Sequence, residues 1–143
     1  MNQRSYFLDS NIWLYYLLEN QSLAIQERER KRNIARTLTN SSNIIVSTQV
    51  VNEVCVNALK KAAFTESQIR LLIQSFEKRC TVVTPEIKTL IKATELRSQY
   101  YFSFWDSLIV ASALSAHANI LYSEDVRDSL LVANRLTIVN PFK

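Results

Sequence analysis

YFLDSNIWLYYL, Tyr6 to Leu17, sets three apolar residues with no polar alternation directly before an aspartate and then passes into helical periodicity. An unalternating run of this kind reads as a strand covered on both faces, and the period change marks its handover to a helix. Four further runs repeat the pattern: Ile44-Ile45-Val46, Val82-Val83, Ile120-Leu121-Tyr122 and Ile138-Val139, with helical segments between them. The expected class is therefore α/β, a βαβ chain with a parallel sheet of about five strands.

The helical segments carry start signals. Ser47 is expected to cap a helix through about Lys61, and Ser103 one through about His117. Thr65 with Gln68 fits a capping box, and Thr84-Pro85-Glu86 reads as an N-cap, a first-turn proline and a first-turn acid. Residues 11 to 20 and 22 to 39 supply two more helices. No linker, internal repeat or low-complexity segment interrupts the pattern, so residues 1–143 are expected to form one domain.

Hydrophobic residues make up 48% and charged residues 21% of the sequence, which excludes both a disordered chain and a membrane protein. Ile12 to Leu18 is too short to span a bilayer, and no small-residue cleavage site follows it. A protein of the reducing cytoplasm is expected, with Cys55 and Cys80 as free thiols. The glycine count is zero, which removes the P-loop, the dinucleotide-binding turn and the kinase loop together. Turns that need positive φ must then fall to other residues, and Asn40-Ser41, His117-Ala118-Asn119 and Asn134-Arg135 are the candidates. The net charge of +4 favours polyanionic partners mildly.

One charge run stands out, QERERKRNIAR from Gln26 to Arg36. On a helix Arg28, Arg32 and Arg36 share a stripe and Glu27 can pair with Lys31. A solvated face is the plain reading of that stripe, and contact with nucleic acid or an acidic partner is the other. His117, at the end of an apolar helix, suits a role at the helix dipole better than catalysis. Trp13, Tyr15 and Tyr16 suit core packing or self-association better than base stacking.

The four aspartates are Asp9, Asp106, Asp125 and Asp128. Asp9 follows the first strand directly, and Asp125 follows the Ile120–Tyr122 run with Ser123 and Glu124 between. Both therefore stand at the carboxyl edge of the expected sheet, where open α/β folds place their sites. Asp106 opens the apolar helix WDSLIVASALSA, and Glu53 lies in VVNEVCVNAL among valines. Local capping could explain Asp9 and Asp106, and Asp125 could cap a helix through Leu131, but Glu53 is too deep in its helix for that role. Carboxylates gathered in one cleft must protonate or share a cation. An all-carboxylate set selects a hard ion, Mg2+ or Mn2+, and that chemistry is phosphodiester hydrolysis.

FLDSNIWLYYL at Phe7 to Leu17, STQVVNEV at Ser47 to Val54, FWDSLIVASAL at Phe104 to Leu114 and LYSEDV at Leu121 to Val126 resemble the successive motifs of PIN-domain ribonucleases. Ile138-Val139-Asn140-Pro141-Phe142 resembles the family's last strand. Within the family, the resemblance is to the VapC-type toxins of bacterial toxin-antitoxin pairs. It implies a three-layer α/β/α sandwich and a Mg2+- or Mn2+-dependent endoribonuclease acting on single-stranded RNA. It also implies a catalytic quartet of Asp9, Glu53, Asp106 and Asp125, with Asp9 and Asp106 on the metal. Asn11, Ser47 and Ser123 stand where the family often has small polar residues that orient these acids. The implied partners are RNA, a cognate antitoxin and a second copy of the chain.

One departure is Ser129, where similar toxins often have a glycine shortly after the SED motif, and it puts the turn around Asp125 under question, with Glu124 as a substitute ligand. Two other enzyme classes fit poorly. A dehalogenase-type phosphatase needs an acid where Asn11 stands, and a phosphorelay receiver needs adjacent acids where Leu8-Asp9-Ser10 stands. A catalytically silent PIN-like module that binds RNA or protein, and a housekeeping PIN nuclease without an antitoxin, are the remaining alternatives.

Overall fold

The computed structural model describes residues 3–143. Its elements in order are β1 (Tyr6–Leu8), α1 (Ser10–Leu17), α2 (Ile25–Thr39), β2 (Ile44–Ser47), α3 (Thr48–Ala62) and α4 (Glu66–Arg79). They continue with β3 (Thr81–Val83), α5 (Ile87–Tyr100), α6 (Phe104–Ser115), β4 (Ile120–Tyr122), β5 (Leu130–Val132) and β6 (Leu136–Val139). The six strands form one sheet in the order β3-β2-β1-β4-β6-β5. All neighbours are parallel except β5, which runs antiparallel to β6. Helices flank the sheet in two groups, α1 to α4 on one hand and the packed pair α5 and α6 on the other.

Apolar runs in the interior strands bury as expected. Phe7, Leu8, Val46, Leu121 and Ile138 are fully enclosed, because a parallel strand between two helical layers has no solvated face. The run at Val82-Val83 behaves differently: β3 is an edge strand, and Thr81 and Val82 are exposed. Helix α6 is the central packing element, with every residue from Ser107 to Leu114 buried, which explains why its sequence is apolar almost all round. No helix among the described residues is long and apolar enough to cross a membrane.

Several local expectations need correction. The described residues form six strands, and no helix among them runs through Leu131; residues 130–132 pair with β6 as β5. Helix α1 ends at Leu17 and α2 begins only at Ile25. The helix foreseen at Thr84 starts at Ile87, with Glu86 as its N-cap, whose backbone N–H donates to Thr89 Oγ1 at 3.2 Å. Asn40 keeps a negative φ of −94°. The left-handed position in that turn belongs to Asn43 at 62°, and His117 and Asn134 adopt it as expected at 58° and 57°. With no glycine available, Ala63, Tyr101, Ser129 and Ala133 are left-handed as well, each at a strain on the order of 1–2 kcal/mol.

Candidate active site

The strand order puts β1 between β2 and β4, so the carboxyl ends of these three strands lie side by side at the point where the sheet winds off in two directions. Crevices at such points are where open α/β sheets hold ligands. Asp9 follows β1 there, and its backbone N–H donates to Tyr122 O of β4 at 3.0 Å. It is only 5% exposed. It is also the N-cap of α1, its Oδ1 accepting from Ser10 N at 2.8 Å. Its Oδ2 accepts from the Ser123 hydroxyl at 2.8 Å.

Ser123, fully buried just after β4, is a junction. While donating to Asp9, its Oγ accepts from the backbone N–H groups of Asp125 at 3.1 Å and Val126 at 3.2 Å. The turn that carries Asp125 is thereby tied to the carboxylate at the end of β1. Asn11 makes a second tie from α1. Its Nδ2 donates to Asp125 Oδ2 at 3.1 Å, and its Oδ1 accepts from Glu124 N at 3.1 Å.

Glu53, half-buried on α3, reaches the same place. Its Oε2 accepts from the Ser10 hydroxyl at 2.7 Å and its Oε1 from Gln49 Nε2 at 3.0 Å. Ser10 and Gln49 are two positioning groups that motif reasoning overlooked. Gln49 could have been found from its i, i+4 spacing to Glu53 on a helix, but nothing local signals Ser10. Asp106 sits in the first turn of α6, where Ser103 Oγ accepts from its backbone N–H at 3.3 Å. Ser47 is fully buried and serves as the N-cap of α3, accepting from Val50 N.

The charges of Glu53 and Asp125 act on both Asp9 and Asp106. Burial pushes the Asp9 carboxyl from its ordinary 3.8 up to about 6; the hydrogen bonds from Ser123 and Ser10 oppose this, and the charges of Glu53 and Asp125 add to it. Burial also raises Asp106, against a hydrogen bond from Ser103 and with help from Asp125 and Glu53. Each of these two aspartates thus feels the same pair of neighbouring carboxylates, a high-energy arrangement that a cation would relieve.

Among the described residues, no three His, Cys, Asp or Glu side chains come close enough to hold one ion by themselves. That is still compatible with a hard divalent cation, because Mg2+ is commonly held by one or two carboxylates with water and phosphate oxygens completing its shell. Carboxylate oxygen is the donor such an ion prefers.

Glu124 and Asp128 are otherwise engaged. Glu124 accepts from Tyr15 Oη at 2.6 Å and pairs with the Lys31 ammonium, which lies 4.6 Å from the Tyr15 ring centroid. Burial alone would lower the Lys31 ammonium, but Glu124 and Tyr15 outweigh it and hold it above its ordinary value. Lys31 therefore does not pair with Glu27, which bonds Arg30 at 2.6 Å instead. Asp128 accepts from Asn140 N at 2.7 Å, which holds its carboxyl below the usual range, and it joins the turn at Ser129 to the end of β6. Of the arginine stripe, Arg28 is half-buried beside Glu19 at 3.9 Å, and Arg36 bonds Asn33 on its own helix. A cleft of about 540 Å3, lined by Asn11, Tyr15, Lys61, Glu124 and Asp125 among others, opens beside the acids.

The PIN domain family model matches residues 6–133. The sequence matches none of the curated proteins. Among solved structures, the chain is similar to one in a toxin-antitoxin complex from Klebsiella pneumoniae, with a TM-score of 0.66 and 18% identity over 96% of this chain and 98% of the other. It is also similar to VapC20 of Mycobacterium tuberculosis, a sarcin-ricin loop cleaving toxin, with a TM-score of 0.63 and 16% identity over 85% and 92%. A third neighbour belongs to VapBC2 of Rickettsia felis, solved with a DNA fragment from its promoter, with a TM-score of 0.56 and 21% identity over 84% and 87%.

Proposed function

Because the chain belongs to the PIN domain family, we propose that it is a divalent-metal-dependent endoribonuclease cutting single-stranded RNA, the whole of residues 1–143 acting as one domain. The observation that carries this reading is the hydrogen-bond network that joins Asp9 through Ser123 to the Asp125 turn, Asn11 to Asp125 and Ser10 to Glu53 beside the carboxyl end of β1. Its structural neighbours include a toxin of known RNA target and members of toxin-antitoxin complexes. On that basis the chain is the toxin of such a pair, with a cognate antitoxin as its protein partner.

Asp9 and Asp106 are the residues to hold the ion, which is Mg2+ or Mn2+ by the hardness of the donors. When bound, the cation supplies positive charge to the phosphoryl oxygens and acidity to a water. Glu53 is braced by Ser10 and Gln49, and a braced carboxylate is suited to orient the attacking water and take its proton. Ser123 and Asn11 keep Asp125 aimed at the same space.

The test is direct. Cleavage of a single-stranded RNA should require Mg2+ or Mn2+, stop with EDTA, and fall by orders of magnitude in Asp106→Asn, which keeps the shape but removes a charge. Expression of the wild-type chain alone should arrest its host, and Asp106→Asn should relieve the arrest. Undiminished cleavage by purified Asp106→Asn would falsify the site assignment. Harmless expression of an active nuclease would leave a housekeeping PIN enzyme as the better description.

A further inference from the structure

We propose that Trp105 and Phe104 form a platform on which an unpaired base of the RNA substrate stacks beside Asp106, a reading that rests on the ribonuclease function proposed above. Helix α6 is enclosed from Ser107 to Leu114, yet its first two residues are open to solvent, Phe104 by 55% and Trp105 by 64%. Two large rings left in water forgo the stabilisation their burial would bring. Their position gives that exposure a use. Trp105 directly precedes Asp106, so their Cα atoms are about 3.8 Å apart and the indole springs from the same first turn of α6 as the acid.

The platform is held in place before any ligand arrives. Phe104 and Trp105 meet edge to face, with centroids 5.2 Å apart and planes at 76°. Behind Phe104 lies the Arg97 guanidinium, 4.5 Å from the ring centroid, itself fixed by donating to Ser107 Oγ at 2.7 Å. Such rings lose little freedom on binding. The preceding turn is also constrained, since Tyr101 is left-handed at φ 62° and exposed by 84%. Arg127, two residues beyond Asp125, donates to Tyr100 O and so ties this turn to the Asp125 loop.

Charge settles the class of ligand. Exposed aromatic faces with Arg97 against Phe104, on a chain of net charge +4, match the requirements of a single strand, whose bases stack and whose backbone is anionic. A duplex keeps its bases paired and offers no free face. Because every base has a π-face, the platform holds the strand in register without choosing its sequence.

Trp105 can report its own occupancy, since the other tryptophan, Trp13, is 3% exposed. In EDTA at low salt, a single-stranded RNA oligonucleotide should quench the tryptophan emission of the wild-type protein, while the same sequence as a duplex should not. Trp105→Ala should weaken oligonucleotide binding by roughly 5- to 150-fold, the range seen for base–aromatic stacking, and Trp105→Phe should recover most of it. In cleavage assays the loss should fall on KM, with kcat nearly unchanged, because stacking serves ground state and transition state alike. If the wild-type protein does not cleave RNA, the nuclease reading fails, and quenching in EDTA still decides the platform. Unchanged emission, equal quenching by the duplex, or an unchanged KM in Trp105→Ala overturns it. So does a Trp105→Ala protein that binds RNA normally but loses a copurifying polypeptide, which would make the patch a protein interface.

Discussion

Replacing Asp9 by Asn should make the metal-free protein less stable in acid and more stable above neutrality. The Asp9 carboxyl ionises at about 6 in the folded protein, against its ordinary 3.8. The folded state therefore holds this proton more tightly than the unfolded chain does, and stability falls as pH rises through that interval. The difference, at ~1.4 kcal/mol per pH unit, comes to roughly 3 kcal/mol, and it applies nearly in full because Asp9 is 5% exposed. Asn removes that penalty but introduces another. It can still accept from Ser10 N, but it turns an amide N–H2 toward Ser123 Oγ, which already accepts from two backbone N–H groups. The mismatch costs about 1 kcal/mol at any pH. Urea unfolding in EDTA should then show Asp9→Asn about 1 kcal/mol weaker than wild type near pH 3, about equal to it near pH 4.5 and about 2 kcal/mol stronger near pH 8. Titrations of groups remote from Asp9 cancel in that difference. Adding Mg2+ at ten times its Kd should return about 1.4 kcal/mol to the wild type and little to the variant. A wild-type-to-variant difference that is flat from pH 4.5 to 8 would refute the claim that burial and the neighbouring carboxylates hold Asp9 in a high-energy state.

Lys31→Met should leave the half-buried Glu124 charge without its partner and lower stability by about 1–3 kcal/mol, between the values for exposed and buried pairs; restoration of the urea midpoint by the added Glu124→Gln change would confirm the pairing. Ser129→Gly relieves a left-handed serine at φ 64°, and after the entropy of glycine is subtracted it should raise stability by roughly 0.5–1 kcal/mol; a fall in the thermal midpoint would contradict that. Reversing Arg32 and Arg36 to Glu should leave the log–log salt dependence of RNA binding unchanged if the stripe is a solvated face, and flatten it by about 0.7 per lost phosphate contact if it is not.

Strands β1, β2, β4 and β6 were legible because burial on both faces selects short apolar runs, and the helix starts at Ser47, Thr65 and Ser103 because capping is a matter of neighbours three residues apart. Val82-Val83 was legible as a strand too, although its edge position and exposure were not; Leu130-Leu131-Val132 resisted reading, because it gains its strand character only by pairing with β6. The lack of glycine announced positive-φ turns and pointed to His117 and Asn134, but not to Ala63, Tyr101 and Ala133, which carry no side-chain preference for positive φ. Phe104 and Trp105 looked like the start of one more buried helix, because an apolar sequence does not say which of its residues the fold leaves outside.

By itself, then, the order of residues determined that acids stand at strand ends: Asp9 next to Leu8 and Asp125 shortly after Tyr122 are facts of covalent neighbourhood, which no packing can undo. Which groups those acids meet was decided only by the tertiary structure. Ser10 donates to Glu53 across 43 residues, Asn11 to Asp125 across 114 and Lys31 to Glu124 across 93. Each contact exists because β1 lies between β2 and β4 in the sheet. Local periodicity carries no information about that order, since a buried strand has the same pattern whichever neighbours it takes, and the arrangement is chosen by how all the helices and strands bury their apolar faces at once.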